Sequence, residues 1–280
     1  MKFVYFEPPP DLRPLISSYY LVEMPCAWQD ILRAEIANVR FILAGSVTSR
    51  WGDKVEHAHS PSALLCGPTS VARQLEFAPG TIVFGASVTP EGWRRCIGVS
   101  ADECADQFLD LESLCGRFAR HALQQLVEAP DQQTFVPIID QLFRALANEQ
   151  RVVREDFMGA ASHWLTRPPI GHVDMLLEDT SISVRQVERL CRQVFGAPPK
   201  RLQRKFRALH ASNYLAWSGD KDWHHAAGDS YYDQSHFIKN FKEFIGATPS
   251  AFVEGQNILI RQTLMQRLSI NHASPFSLIG

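Results

Sequence analysis

Two segments about fifty residues apart follow one local plan, and few folds can accept that plan twice. The first runs Thr180-Ser181-Ile182-Ser183-Val184-Arg185-Gln186-Val187-Glu188-Arg189 and stops at Phe195-Gly196-Ala197-Pro198. The second runs Asp229-Ser230-Tyr231-Tyr232-Asp233-Gln234-Ser235-His236-Phe237-Ile238-Lys239 and stops at Ile245-Gly246-Ala247-Thr248-Pro249. Each offers a small residue for a tight turn, a polar N-cap, an amphipathic helix, then Gly and Pro as stop signals. That order predicts two helix-turn-helix units.

In the first unit, Ser183 and Gln186 have capping-box spacing, with Gly196 as the stop. Val187, Leu190, Cys191 and Val194 form an apolar stripe, and Arg185, Glu188, Arg189 and Arg192 share the opposite face. In the second unit Asp233 is the N-cap, and Phe237, Phe241, Phe244 and Ile245 face inward before Gly246 and Pro249. Gln234, Ser235, Lys239 and Lys242 are left to face out. Between the units, Leu202, Phe206, Leu209 and Leu215 give an apolar spacing, with Lys200, Arg201, Arg204, Lys205 and Arg207 interleaved. Arg185 to Arg207 hold eight Lys+Arg against one acid. A lone basic amphipathic helix is most often a solvated face; two capped copies in tandem point to a polyanion instead. A linker helix of roughly 15 residues, rising about 1.5 Å each, with the helices at its ends, could hold two heads about one DNA turn, near 34 Å, apart.

Net charge over the 280 residues is -2, which conceals an asymmetry. Residues 1–182 carry 15 Lys+Arg against 23 Asp+Glu; residues 183–280 carry 13 against 7. An acidic part and a basic part suggest two domains, of which only the second suits DNA. With 45% hydrophobic and 21% charged residues, the composition is that of a soluble globular protein. No signal-peptide core or membrane-length apolar run is present, so a cytoplasmic protein without a membrane partner is expected. The six cysteines show no CxxC spacing and are expected to be reduced and mostly buried.

The first hundred residues read mostly as strands: Val39, Phe41 and Leu43 alternate with their neighbours, and Thr81 to Val88 is β-rich. Gly52-Asp53, Gly67-Pro68, Pro79-Gly80 and Pro90-Glu91-Gly92 read as turns between them. From about Ser100 the spacing becomes helical, through Phe108, Leu111, Leu114 and Cys115, then Ile138, Ile139, Leu142, Phe143 and Leu146. The expected fold is α+β: a β-rich part (1–100) and helices (101–165), a helical domain over 166–262, and a tail over 263–280. Thr166-Arg167-Pro168-Pro169-Ile170-Gly171 is the candidate boundary.

Residues from about 170 to 255 resemble the C-terminal DNA-binding domain of the AraC/XylS transcriptional regulators. The resemblance rests on Tyr231 to Phe237, Phe241-Lys242, Gly246 to Ser250, Ser183 to Arg189, and Phe195 to Lys200. It implies two recognition helices, Val184–Val194 and Gln234–Glu243. Arg185, Glu188, Arg189, Gln234, Ser235 and Lys239 then stand where family members reach base edges, and Arg192, Lys200, Arg201, Arg204 and Lys242 become phosphate contacts. Ser181 and Ser230 stand where the family usually has Gly, and His225 where an apolar residue is common. Phe6 to Pro9, Leu15 to Tyr20, Phe84 to Ala86 and Pro90 to Trp93 resemble, more loosely, the cupin-like sensing domains of some members. That half would bind a small-molecule effector or mediate homodimerisation.

Other sites are weaker. His57-Ala58-His59 has two imidazoles but no acid where a cupin metal site needs one, so an exposed turn is the better reading. His224-His225 reads as part of a helix near Trp223. Trp28, Trp51, Trp93 and Trp164 could line a ligand pocket or simply fill cores. Cys96 and Cys104 lack any signal for a lowered thiol pKa. Without a phosphate loop or a nucleophile–base set, neither enzymatic activity nor a cofactor is expected. The leading expectation is a sequence-specific regulator on double-stranded DNA. Its rivals are a metal-dependent cupin enzyme with a helical appendage and a protein-binding adaptor.

Overall fold

Short strands separated by turns build the N-terminal half of the computed structural model as two antiparallel sheets. The structure describes residues 1–147, 155–220, 222–227, 233–255, 257–270 and 274–279. The strands are β1 (Lys2–Phe6), β2 (Ile16–Met24), β3 (Trp28–Leu32), β4 (Asn38–Ala44), β5 (Ser46–Trp51), β6 (Lys54–His59), β7 (Ser62–Cys66), β8 (Arg73–Phe77), β9 (Thr81–Val88) and β10 (Phe108–Asp110). One sheet has the order β1-β2-β9-β4-β7-β10 and the other β3-β8-β5-β6. Tyr20, Val22, Ile42, Leu75, Phe77 and Val83 form a core between them.

Two sequence readings change here. Pro90-Glu91-Gly92 is not a turn: Thr89 caps a short helix, α1 (Pro90–Gly92), that continues into a π-helical turn, Trp93–Ile97. Phe108 is not the start of a helix. It pairs with Cys66 in β10, because the Asp110 carboxylate accepts from Ser113 N and starts α2 (Leu111–Cys115) only after it. α3 (Arg117–Glu128) and α4 (Phe135–Ala147) then cover the larger sheet, with Phe135, Ile139, Leu142 and Phe143 buried against it.

The remaining helices are α5 (Glu155–Thr166), α6 (Val173–Thr180), α7 (Val184–Phe195), α8 (Pro199–Ser218), α9 (Trp223–Ala227), α10 (Gln234–Ile245), α11 (Pro249–Val253) and α12 (Ile258–Arg267). They share one core around α8, whose Leu202, Phe206, Leu209 and Leu215 are buried. The expected boundary at 165/166 falls at the end of α5, yet Phe157, Ala161 and Leu165 of α5 pack in this C-terminal core. Nor do residues 263–279 trail away. α12 continues to Arg267, and Phe276 and Ile279 are buried in the same core.

The halves are joined by buried cations. Lys205 of α8 lies within the apolar stripe and donates to Glu35 O (2.6 Å) and Thr69 O (2.9 Å) of the β-rich half. Arg33 is fully buried and donates to Ser212 Oγ (3.1 Å) and Asn213 Oδ1 (2.6 Å) of α8, and to Ile279 O (3.1 Å). Ser277 Oγ donates to Ser17 O at 2.8 Å, tying the last described segment to β2. A buried polar group is tolerated only when it is bonded in this way. Among the described residues, no helix is long and apolar enough to cross a membrane.

Burial lowers the Lys205 ammonium to about 7, against about 10.4 in an unfolded chain. Between those values the unfolded chain holds the extra proton, so this lysine makes stability rise with pH from about 7 to about 10. Denaturant unfolding should show the stability difference, wild type minus Lys205→Met, moving in favour of the wild type across that window. A flat difference would place the ammonium in water.

Candidate nucleic-acid interface

The first unit is α6, a turn and α7. Ser181 closes α6 in the left-handed region at φ 51°, a conformation that costs a residue with a Cβ and suits glycine better. Ser183 then caps α7: its Oγ accepts from Gln186 N (3.3 Å), while the Gln186 side chain accepts from Ser183 N (3.2 Å). Val187, Leu190, Cys191, Val194 and Phe195 turn inward, and burial pushes the Cys191 thiol up to about 12. Arg185, Glu188, Arg189 and Arg192 are all exposed on the other face. Val184, 59% exposed in the first turn, joins this face although the sequence reading did not include it. Its signal was an apolar residue standing outside the stripe.

The second unit is α9 and α10; the predicted turn at Asp229 to Tyr232, with Ser230, lies outside the described residues. Asp233 caps α10 by accepting from His236 N (2.8 Å). Phe237, Phe241, Phe244 and Ile245 are buried, with the Phe241 ring 5.7 Å from that of Phe252 in α11. Gln234, Ser235, Lys239 and Lys242 are exposed, as is His236. Pro249 opens α11 behind the Thr248 cap. His224 and His225 are exposed and meet Asp222 (2.6 Å) and Asp220 (2.7 Å), which raises the His225 pKa.

The basic residues of α8 do not form one face. Lys200 is exposed, but Arg201 pairs with Glu243 of α10 (3.1 Å) and donates to Ser70 O (3.0 Å). Arg204 pairs with the same carboxylate (2.5 Å) and donates to Asn240 Oδ1 (2.9 Å). Arg207 donates to Ile170 O, and Lys205 is the buried cation already described. The signal for Lys205 was its spacing: it falls three after Leu202 and four before Leu209, inside the apolar stripe.

α7 and α10 both end against the β-rich half. Gln193 O of α7 accepts from Ala101 N (2.9 Å); Glu243 O and Phe244 O of α10 accept from Ala72 N (3.0 Å) and Ala34 N (2.7 Å). These carbonyls belong to helix last turns, which lack partners within the helix. Gly196 and Gly246 follow at φ 79° and 85°. A Cβ at Gly246 would lie 2.4 Å from Ile31 Cγ2, and one at Gly196 would lie 2.5 Å from Pro68 Cγ. The two stop glycines therefore also allow the close approach of the two halves.

Between the sheets lies a small cavity of about 50 Å³. Its aromatic wall is Phe3, Tyr5, Tyr20, Phe77 and Phe108, and Leu259 and Thr263 of α12 close it. None of the tryptophans suggested from sequence lines it: Trp51 lies under the Arg73 guanidinium (3.8 Å) and Trp93 and Trp164 are buried in the cores. His57 and His59 are on β6, a strand rather than a turn, and point outward; His57 Nδ1 lies 3.0 Å from Thr48 Oγ1. Among the described residues, no three His, Cys, Asp or Glu side chains gather as a metal site. Of the cysteines, Cys26 is exposed and the other five are buried.

A family model described as helix-turn-helix domain matches residues 176–255, which span α7 to α11 and most of α6. No curated protein matches in sequence. Among solved structures, ToxT from Vibrio cholerae O395 is 13% identical, covering 84% of this chain and 95% of its own, with a TM-score of 0.47. ToxT bound to (E)-4-(8-methylnaphthalen-1-yl)but-3-enoic acid is 12% identical, covering 91% and 99%, with a TM-score of 0.49. The AraC-like transcriptional activator CuxR is 12% identical, covering 69% and 76%, with a TM-score of 0.29.

Core and surface of α10 should separate on mutation. Phe241→Ala, a buried large-to-small change, should cost roughly 3–5 kcal/mol. Lys239→Ala should stay within about 0.5 kcal/mol, as an exposed site does. Thermal unfolding of the full chain checks both; equal losses would mean that α10 is not oriented as described.

Proposed function

We propose, on the premise that residues 176–255 belong to the AraC-type helix-turn-helix family of DNA-binding transcription regulators, that this chain reads operator DNA with two heads. The observation that carries this is a shared geometry. α7 and α10 are both capped, both bury an apolar stripe, and both turn a polar face outward near the N-terminus. α8 separates them, and its 20 residues at about 1.5 Å each span roughly 30 Å, close to the roughly 34 Å of one DNA turn.

In this reading Arg185, Glu188 and Arg189 of α7, and Gln234, Ser235 and Lys239 of α10, meet base edges in successive major-groove segments. Val184 adds an apolar surface suited to a thymine methyl. Arg192, Lys200 and Lys242 take phosphates, which fix register without reading sequence. Arg201 and Arg204 can join them only by giving up Glu243. The N-terminal half acts as a sensing and pairing domain: its cavity takes a small-molecule effector, and two copies joined through it would present four heads. The effector would touch α12 directly, through Leu259 and Thr263, and α12 in turn is bonded to α8 by Trp217 Nε1 on Leu264 O (3.0 Å).

Selection from random DNA should yield a preferred sequence spanning two major-groove segments. Arg189→Ala should relax preference at one or two base pairs, at roughly 1–3 kcal/mol per lost contact. Lys200→Ala should weaken all sequences alike and reduce the salt dependence of binding. Binding titrations on selected and random DNA at several salt concentrations check the pair. Equal losses on both DNAs for both variants would remove base readout from α7.

A further inference from the structure

The effector cavity carries its own charge balance, and that balance selects a chemical class. Its lining holds one cation, Arg40, and one anion, Glu35. They are already paired: Arg40 Nη2 lies 2.5 Å from Glu35 Oε2, with the two side chains 13% and 9% exposed. Arg40 Nε donates to the Tyr20 hydroxyl (2.9 Å), and that hydroxyl donates to Asn38 Oδ1 (3.1 Å). Ser87 Oγ donates to the same Asn38 oxygen at 3.0 Å, and Asn38 Nδ2 to Ile36 O at 3.0 Å. Burial raises the Tyr20 pKa, which keeps its phenol protonated and able to donate. The polar groups thus form a closed chain on one side of the cavity, and the rest of the lining is almost wholly apolar.

A ligand carboxylate placed here would find its only cation taken and Glu35 beside it. The buried charge would be uncompensated, and like charge in a low-dielectric site is strongly disfavoured. An uncharged ligand meets no such penalty and gains from the aromatic and aliphatic walls. Resting on the reading of this cavity as the effector site, we infer that its ligand is an uncharged apolar molecule, a chain or ring compound whose only polar group is a hydroxyl or carbonyl, and not a carboxylate. Glu35 is the specificity-determining residue: it gives Arg40 a permanent counter-ion and so keeps acidic ligands out. Its backbone carbonyl, which accepts from Lys205, is a separate contact.

The test is thermal unfolding of the full chain with 1-butanol or butanoate, two probes of one chain length, small enough for this cavity, that differ in charge. At about a hundred times Kd, butanol should raise the Tm by about 5 °C, as binding to the native state requires. Butanoate at the same concentration should leave it unchanged. Glu35→Gln frees Arg40 and should reverse the preference, so that butanoate stabilises the variant. If butanoate stabilises the wild type as strongly as butanol, the cavity binds ligands but the charge rule is overturned. If neither probe shifts the Tm of either protein, the ligand class is overturned, while DNA selection, which uses no ligand, still judges the reading heads. The wild-type pair decides the matter even if Glu35→Gln does not fold.

Discussion

The structure depends on one buried joint, where Lys205 and Arg33 tie the linker helix to the sheets. Lys205 projects from the apolar face of α8 and finds two carbonyls, Glu35 O and Thr69 O, in loops of the β-rich half. Arg33 returns the contact, bonding two side chains of α8 and the last segment of the chain. A cation so placed is costly unless its donors are met, so the contact is demanding about position. Around it, three amides of the β-rich half cap the last turns of α7 and α10, and the cavity shares α12 with the helical core. α7 and α10 are thus held at their C-terminal ends by the β-rich half, while their N-terminal polar faces stay exposed. The joint can therefore set the geometry between these two helices without covering those faces.

Glu35 illustrates how closely the two halves are connected. Its carboxylate neutralises Arg40 in the cavity, its carbonyl accepts from Lys205, and its amide donates to Thr69 Oγ1 at 2.7 Å. One residue joins the cavity wall to the linker helix through its own backbone. A change in the cavity therefore has a short bonded route to α8, besides the route through α12 and Trp217.

Much of the helical half was legible because its signals are local. A capping serine, an i, i+3, i+4 stripe and a glycine stop act within a dozen residues, and Ser183, Val187 and Gly196 show all three. What was not legible depends on partners far away in sequence. Nothing near Lys205 says that carbonyls of residues 35 and 69 await it, so the basic run read as one DNA-facing set. Phe108 looked helical because its strand partner, Cys66, is 42 positions earlier. The cavity was invisible for the same reason: its walls come from both sheets and α12, and none of the four tryptophans of the sequence reading lines it. The glycines were half legible. Their role as helix stops is local, but the contacts with Pro68 and Ile31 that forbid a Cβ are not.

The most direct measurement of the joint is hydrogen exchange at three amides, Ala34, Ala72 and Ala101, in the full chain without DNA. Each lies outside strand and helix and donates only across the joint, to Phe244 O, Glu243 O and Gln193 O. If the halves are locked, these amides exchange as slowly as the strand amides of β2 and β9, and Lys205→Met speeds all three together. Exchange at the rate of exposed loops in the wild type would contradict the account, because α7 and α10 would then be free of the sheets.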